Sequence, residues 1–119
     1  MYEIHKEPGK NRVAVIFTKN FEHDQEEFSA ELKAAAQGVI GPGSHFDLIV
    51  DFTAAGPMPQ DHAQAGERAV AWCIASGLRK SANIMHTNLQ RMQVKRVAAR
   101  DDRFGYFNSR AEAESWLNE

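Results

Sequence analysis

Cysteine is nearly missing: Cys73 stands alone in 119 residues, so no disulfide can close within the chain. Long apolar runs are missing too, and nothing approaches the roughly 20 apolar residues that a bilayer-spanning helix needs. No charge sign dominates. Fourteen Lys and Arg against sixteen Asp and Glu leave a formal net charge of −2, which gives no global pull toward nucleic acid or an anionic membrane. The opening Met1-Tyr2-Glu3-Ile4-His5 lacks the basic-then-apolar layout of a signal peptide. Together these absences predict a cytoplasmic protein in a reducing compartment.

The catalytic and metal patterns are equally sparse. Histidines stand at 5, 23, 45, 62 and 86, and no two have the i, i+4 spacing of a helical zinc pair. With no second thiolate, neither a metal site nor a cofactor is expected. There is no Gly-x-Ser-x-Gly elbow, no phosphate loop and no dinucleotide glycine fingerprint. Gly41-Pro42-Gly43 precedes a strand, the wrong context for a nucleotide loop. The chain is therefore expected not to be an enzyme.

What remains is an ordinary globular composition, 43% hydrophobic and 25% charged, sized for one domain over residues 1–119. Tyr2 to His5 alternates as a half-buried strand does. Pro8-Gly9 suits a type II turn, and Arg12 to Thr18 reads as a buried strand, so the pair predicts an antiparallel hairpin. Asp24 with Glu27 forms a capping box opening a helix whose Phe28, Leu32, Ala35, Ala36 and Val39 share one face. Phe46 to Phe52 reads as a strand buried on both faces. An alanine-rich helix is expected from about Asp61 to Ser76, with Gly77 closing it. Ala82 to His86 predicts a shorter strand. Thr87 with Gln90 is a second capping box, Phe104 to Phe107 a last strand, and Ser109 with Glu112 a third box opening a short helix. The predicted class is α/β in the order β-β-α-β-α-β-α-β-α: a mostly parallel sheet of four to five strands, an antiparallel N-terminal edge strand and four helices.

That order, with the tail Phe107-Asn108-Ser109-Arg110-Ala111-Glu112-Ala113-Glu114-Ser115-Trp116-Leu117 and the strand Asp47-Leu48-Ile49-Val50-Asp51-Phe52-Thr53, resembles the STAS fold of the bacterial anti-sigma-factor antagonists. It resembles more narrowly the SpoIIAA-like subgroup of small stand-alone bacterial proteins, whose function is largely unassigned. The resemblance implies a regulatory loop after the central strand. Regulatory members carry an Asp-Ser-Ser-Gly-like stretch there, and one serine is phosphorylated. The matching stretch here is Pro59-Gln60-Asp61-His62, which has no hydroxyl to phosphorylate.

In an open α/β sheet, ligands collect beyond the C-terminal ends of the parallel strands. That edge should gather Thr18, Lys19, Asn20, the loop from Thr53 to Gln60, His86, Thr87, Asn88, Asn108 and Ser109. Thr87 and Ser109 are accounted for as helix caps. The helix start near Asp61 offers free N–H groups to an anion, but Asp61 already complements the dipole. Cys73, between Trp72 and Ile74, reads as a buried inert thiol. The basic run Arg91, Lys95, Arg96, Arg100 and Arg103 reads as a solvated face or a docking surface for an acidic partner. It lacks interleaved aromatics, so nucleic acid is not expected.

Three functions are weighed. The first is a non-enzymatic protein-interaction or regulatory module, with a partner or ligand surface of Thr53, Met58, Gln60, Asp61, His62, His86 and Thr87. Here Met58 is either an exposed contact or tucked into the core. The second is a carrier of a small apolar, lipid-like ligand, with the alanines of the 61–76 helix leaving room for it. The third is a cryptic enzyme pairing His86 with Asp51. A homodimer protecting the edge strand is the default oligomer.

Overall fold

The computed structural model describes residues 1–40, 45–98 and 101–119. Gly41-Pro42-Gly43 and Arg100 lie outside the described residues. Five strands, β1 (Tyr2–Glu7), β2 (Arg12–Phe17), β3 (Phe46–Asp51), β4 (Leu78–Ile84) and β5 (Phe104–Phe107), form one sheet in the order β1-β2-β3-β4-β5. β1 runs antiparallel to β2, and the other neighbours are parallel. The helices are α1 (Gln25–Val39), α2 (Gln60–Ala75), α3 (Asn88–Ala98) and α4 (Arg110–Leu117). This is the expected α/β order. None of the described helices is long and apolar enough to cross a membrane.

The strand order places the helices. From β2 to β5 the chain steps along the sheet in one direction. Right-handed crossovers then put α1, α2 and α3 on the same face. α4 follows the last strand and covers the opposite face, against β3, β4 and β5. The strand period splits the core accordingly. Val13, Val15, Phe17, Phe46 and Leu48 face α1 to α3, whereas Ala14, Ile49, Ala82 and Ile84 face Ala113 and Leu117 of α4.

The caps form as read. Asp24 Oδ1 accepts from Glu27 N–H at 2.9 Å, Thr87 Oγ1 from Gln90 N–H at 3.1 Å and Ser109 Oγ from Glu112 N–H at 3.2 Å. Each such cap contributes about 1 kcal/mol.

Two local expectations are corrected. The Pro8-Gly9 turn is a single 3-10 turn over Pro8–Lys10, and the left-handed residue is Asn11 at φ 49°, not Gly9. Asparagine tolerates that region because its short polar side chain bonds locally. β4 begins at Leu78, four residues before the predicted start. Arg79 and Lys80 interrupt the apolar pattern because they serve α4. Arg79 Nη2 donates to Leu117 O at 2.6 Å, and Lys80 Nζ donates to Trp116 O at 3.1 Å. The two cations satisfy free carbonyls where the helix dipole is negative. Gly77, at φ 111°, makes the turn that lets the strand start there.

Candidate functional site

α2 is rich in alanine, and only Cys73 in it is fully buried. Small side chains hold the helix backbone near its neighbours without filling the space beneath it. Gly66 shows how close the approach is: a Cβ there would stand 3.1 Å from a Val97 methyl of α3. Below α2 a cavity of about 130 Å³ lies between the sheet and the layer of α1, α2 and α3. Its floor includes Val15, Leu48, Ser81 and Asn83, and its roof Leu32, Ala65, Ala69, Cys73 and Val94. Ser29, Ala65, Gly66 and Val97 line it while keeping partial exposure, so the seams between the helices lead toward it. Burial pushes the Cys73 thiol up to about 12, which leaves it protonated and unreactive.

One end of the cavity is aromatic. His23 precedes the Asp24 cap and packs on Phe28 of the first turn, ring centroids 5.2 Å apart, in the manner of a hydrophobic staple. It also stacks on Phe17. His62, at the start of α2, meets His23 edge-on at 5.1 Å and Phe21 at 5.7 Å. His62 Nδ1 lies 3.3 Å from Asp61 Oδ1 and 3.5 Å from Gln25 Nε2; its Nε2 lies 3.4 Å from the His23 carbonyl. Gln25 Nε2 donates to Asp61 Oδ2 at 3.0 Å, joining α1 to α2. The hydrogen bond from His62 is the main reason the exposed Asp61 carboxyl titrates below its usual range.

His23 is different. Its Nδ1 is buried and has no hydrogen-bond partner among the described residues. Burial first, and the neighbouring His62 second, hold its pKa below the ordinary imidazole value. Sequence spacing does not reveal this pair. His23 and His62 stand 39 residues apart and meet because the N-termini of α1 and α2 lie side by side.

The loop from Phe52 to Pro59, where the resemblance implies a regulatory segment, is latched to α3. Gln90 Nε2 donates to the carbonyls of Phe52 and Ala55. Gln93 Oε1 accepts from Met58 N–H at 2.9 Å, and its Nε2 donates to Met58 O at 3.1 Å. Asn20 Oδ1 accepts from Gly56 N–H at 3.1 Å. Met58 itself is half-buried, packs on the main core and lines the cavity. Of its two expected placements, the structure has the core one.

The remaining sequence-singled residues scatter. Thr53, Gln60, Asp61, His86 and Thr87 are exposed. Gln60, Asp61 and His62 share the start of α2, which has Pro59 as N-cap and no side-chain cap. Thr87 serves α3 as its cap. Asp51 Oδ1 accepts from Thr53 N–H at 2.8 Å, and among the described residues no hydrogen bond joins Asp51 to His86. Much of the basic run is engaged locally. Arg91 Nη2 donates to Asn108 Oδ1, Arg103 pairs with Asp101, and Lys95 Nζ sits 5.2 Å from the Tyr106 ring centroid.

No family model and no curated protein matches the chain. Among solved structures, it is similar to an uncharacterized protein of the DUF3478 family with a SpoIIAA-like fold from Shewanella loihica. The TM-score is 0.70 at 19% identity, covering 98% of this chain and 93% of that one. At that identity the likeness carries the fold alone, and the fold of this chain is SpoIIAA-like.

Proposed function

We propose that the protein is a non-enzymatic binding protein for a small apolar ligand held between the sheet and α1 to α3. The cavity carries this reading. A space of about 130 Å³ beneath α2 leaves the apolar side chains that line it short of packing partners. A ligand that fills the void recovers that packing. The Pro59 to His62 stretch, without a hydroxyl, supports a scaffold that works without phosphoswitching, and the four side-chain bonds from Gln90 and Gln93 favour a fixed loop over a mobile one.

Native mass spectrometry of freshly purified protein tests the reading. An adduct that disappears on denaturation, and is absent from an Ala69→Phe variant that still folds, is the expected result. A clean apo mass, with no uptake when apolar compounds are supplied, would count against it.

A protein-interaction module is the second reading. Its support comes from α3, where Leu89 and Met92 are 50% and 60% exposed at i, i+3 spacing on one face. The expected surface around Met58, Gln60, Asp61 and His62 supports it less, because Met58 belongs to the cavity wall. Loss of a native partner on Leu89→Asp/Met92→Asp, with the fold unchanged, is the outcome that would favour this second reading.

A further inference from the structure

The floor of the cavity contains two residues that its packing does not explain. Ser81 and Asn83 of β4 are 1% and 3% exposed, and both line the cavity. Their neighbours on the same face are apolar. Ser81 sits between Leu48 of β3 and Phe104 of β5, and Asn83 between Val50 and Tyr106. A central parallel strand covered on both faces ordinarily places Val, Ile or Leu at such positions. A buried polar group without a partner is costly, so each atom needs an account.

Half of Asn83 has one. Its Nδ2 donates to Ser81 O and to Gly105 O, both at 3.2 Å, which uses both amide hydrogens and sets the orientation of the side chain. Oδ1 is then the atom left over, with two lone pairs. Among the described residues no donor reaches it, and no hydrogen bond involves Ser81 Oγ. Ser81 and Asn83 both line the cavity, so the space beside these atoms is the cavity.

The walls restrict what can occupy that space. Phe17, Phe21, Phe28, Phe52 and Phe104 all line it, offering ring faces and edges. Its volume of about 130 Å³ is close to the ~150 Å³ engineered apolar cavity that accepts benzene. Small pockets gain selectivity from a few polar groups set in an apolar wall.

We infer that the ligand is a single-ring, phenol- or indole-sized aromatic whose O–H or N–H donates to Asn83 Oδ1, with the Ser81 hydroxyl beside it. The inference rests on the proposed ligand-binding reading of the cavity and adds the chemical class.

The test titrates phenol and fluorobenzene, near-equal in volume, into the full chain and follows the methyl resonances of Val15, Leu48 and Val94. Both compounds should bind. Phenol should bind about three- to tenfold more tightly, the contribution of one hydrogen bond to an otherwise unpaired buried acceptor. Asn83→Leu should remove that preference and leave fluorobenzene binding in place. Equal affinities in the wild type, or a phenol preference that survives Asn83→Leu, would overturn the inference while leaving an apolar-ligand cavity standing. If neither compound binds, the cavity reading itself fails. Asn83→Leu also breaks the bonds to Ser81 O and Gly105 O. If that variant does not fold, the wild-type comparison of phenol with fluorobenzene decides alone.

Discussion

The two faces of the sheet are built differently. On the α4 face the cluster is small and dense: Ala14, Ala82 and Ala113 are at most 2% exposed, and alanine meets alanine beside Ile49, Ile84 and Leu117. A ring of charge closes it. Arg79 holds Asp47 in a two-pronged pair at 2.9 and 2.6 Å and caps Leu117. Arg12, almost fully buried, lies 3.6 Å from Glu114 and 3.8 Å from Glu7 and donates to Asn118. On the other face three helices cover larger side chains and still leave a cavity. One short helix seals its side better than three long ones seal theirs. Covering area therefore does not set packing. α4 is bolted down by specific polar contacts, whereas the small residues of α2 leave the space beneath it unfilled.

Four substitutions or conditions would break or sharpen this contrast. The largest effect is expected on the bolted face. Arg79→Met strands the Asp47 carboxylate, 7% exposed, and frees the Leu117 carbonyl. Urea unfolding should show a loss of about 2 to 3 kcal/mol, below the 3 to 5 of a fully buried pair because the Arg79 side chain is 39% exposed. Adding Asp47→Leu should restore most of it. A fall of under 0.5 kcal/mol would show that the pair does not secure α4.

Next comes one chemical change made on both faces. Ala113→Leu, at 0% exposure against the alanine cluster, should cost roughly 1 to 3 kcal/mol by overpacking. Ala69→Leu, at the cavity roof, should be neutral or stabilise by up to about 1 kcal/mol, because the added methyls enter empty space. The opposite signs are the prediction. Equal destabilisation would mean that both faces are equally full.

The smallest effect concerns pH. The folded state holds His23 neutral below its ordinary pKa of 6.5. As pH falls through that value, the unfolded chain takes up a proton first, so stability is present above about 6.5 and is lost below it. Asp24 opposes the shift and His62 reinforces it. A His23→Phe variant should flatten this part of the stability profile. An unchanged slope between pH 6.5 and 5 would assign the loss to other groups.

The scaffold was legible because its signals are local. Three capping boxes, the β-branched centre of β3 and the i, i+4 face of α1 each lie within one element and obey short-range rules. What escaped is long-range. Arg79 and Lys80 look like a strand breaker until α4 arrives to use them. Gln90 reads as half of a capping box, but its amide reaches 35 and 38 residues back to hold the Phe52 to Ala55 loop. His23 and His62 form a pair only because two helix starts adjoin. The carrier reading had one visible token, the alanines of α2. The Ser81 and Asn83 floor carried none: Ser81 falls before the predicted start of its strand, and a polar residue such as Asn83 within one reads as its solvent face until both faces are known to be covered.

The contrast between a filled face and a hollow one is tested most directly by thermal unfolding of wild type and Ala69→Leu, each with and without phenol at ten times its Kd for the wild type. Wild type should gain about 5 °C, from mass action of roughly 1.4 kcal/mol on a domain of this size, and the filled variant should gain nothing. An equal gain in both proteins, or none in the wild type at saturating phenol, would contradict a ligand cavity between the sheet and α1 to α3.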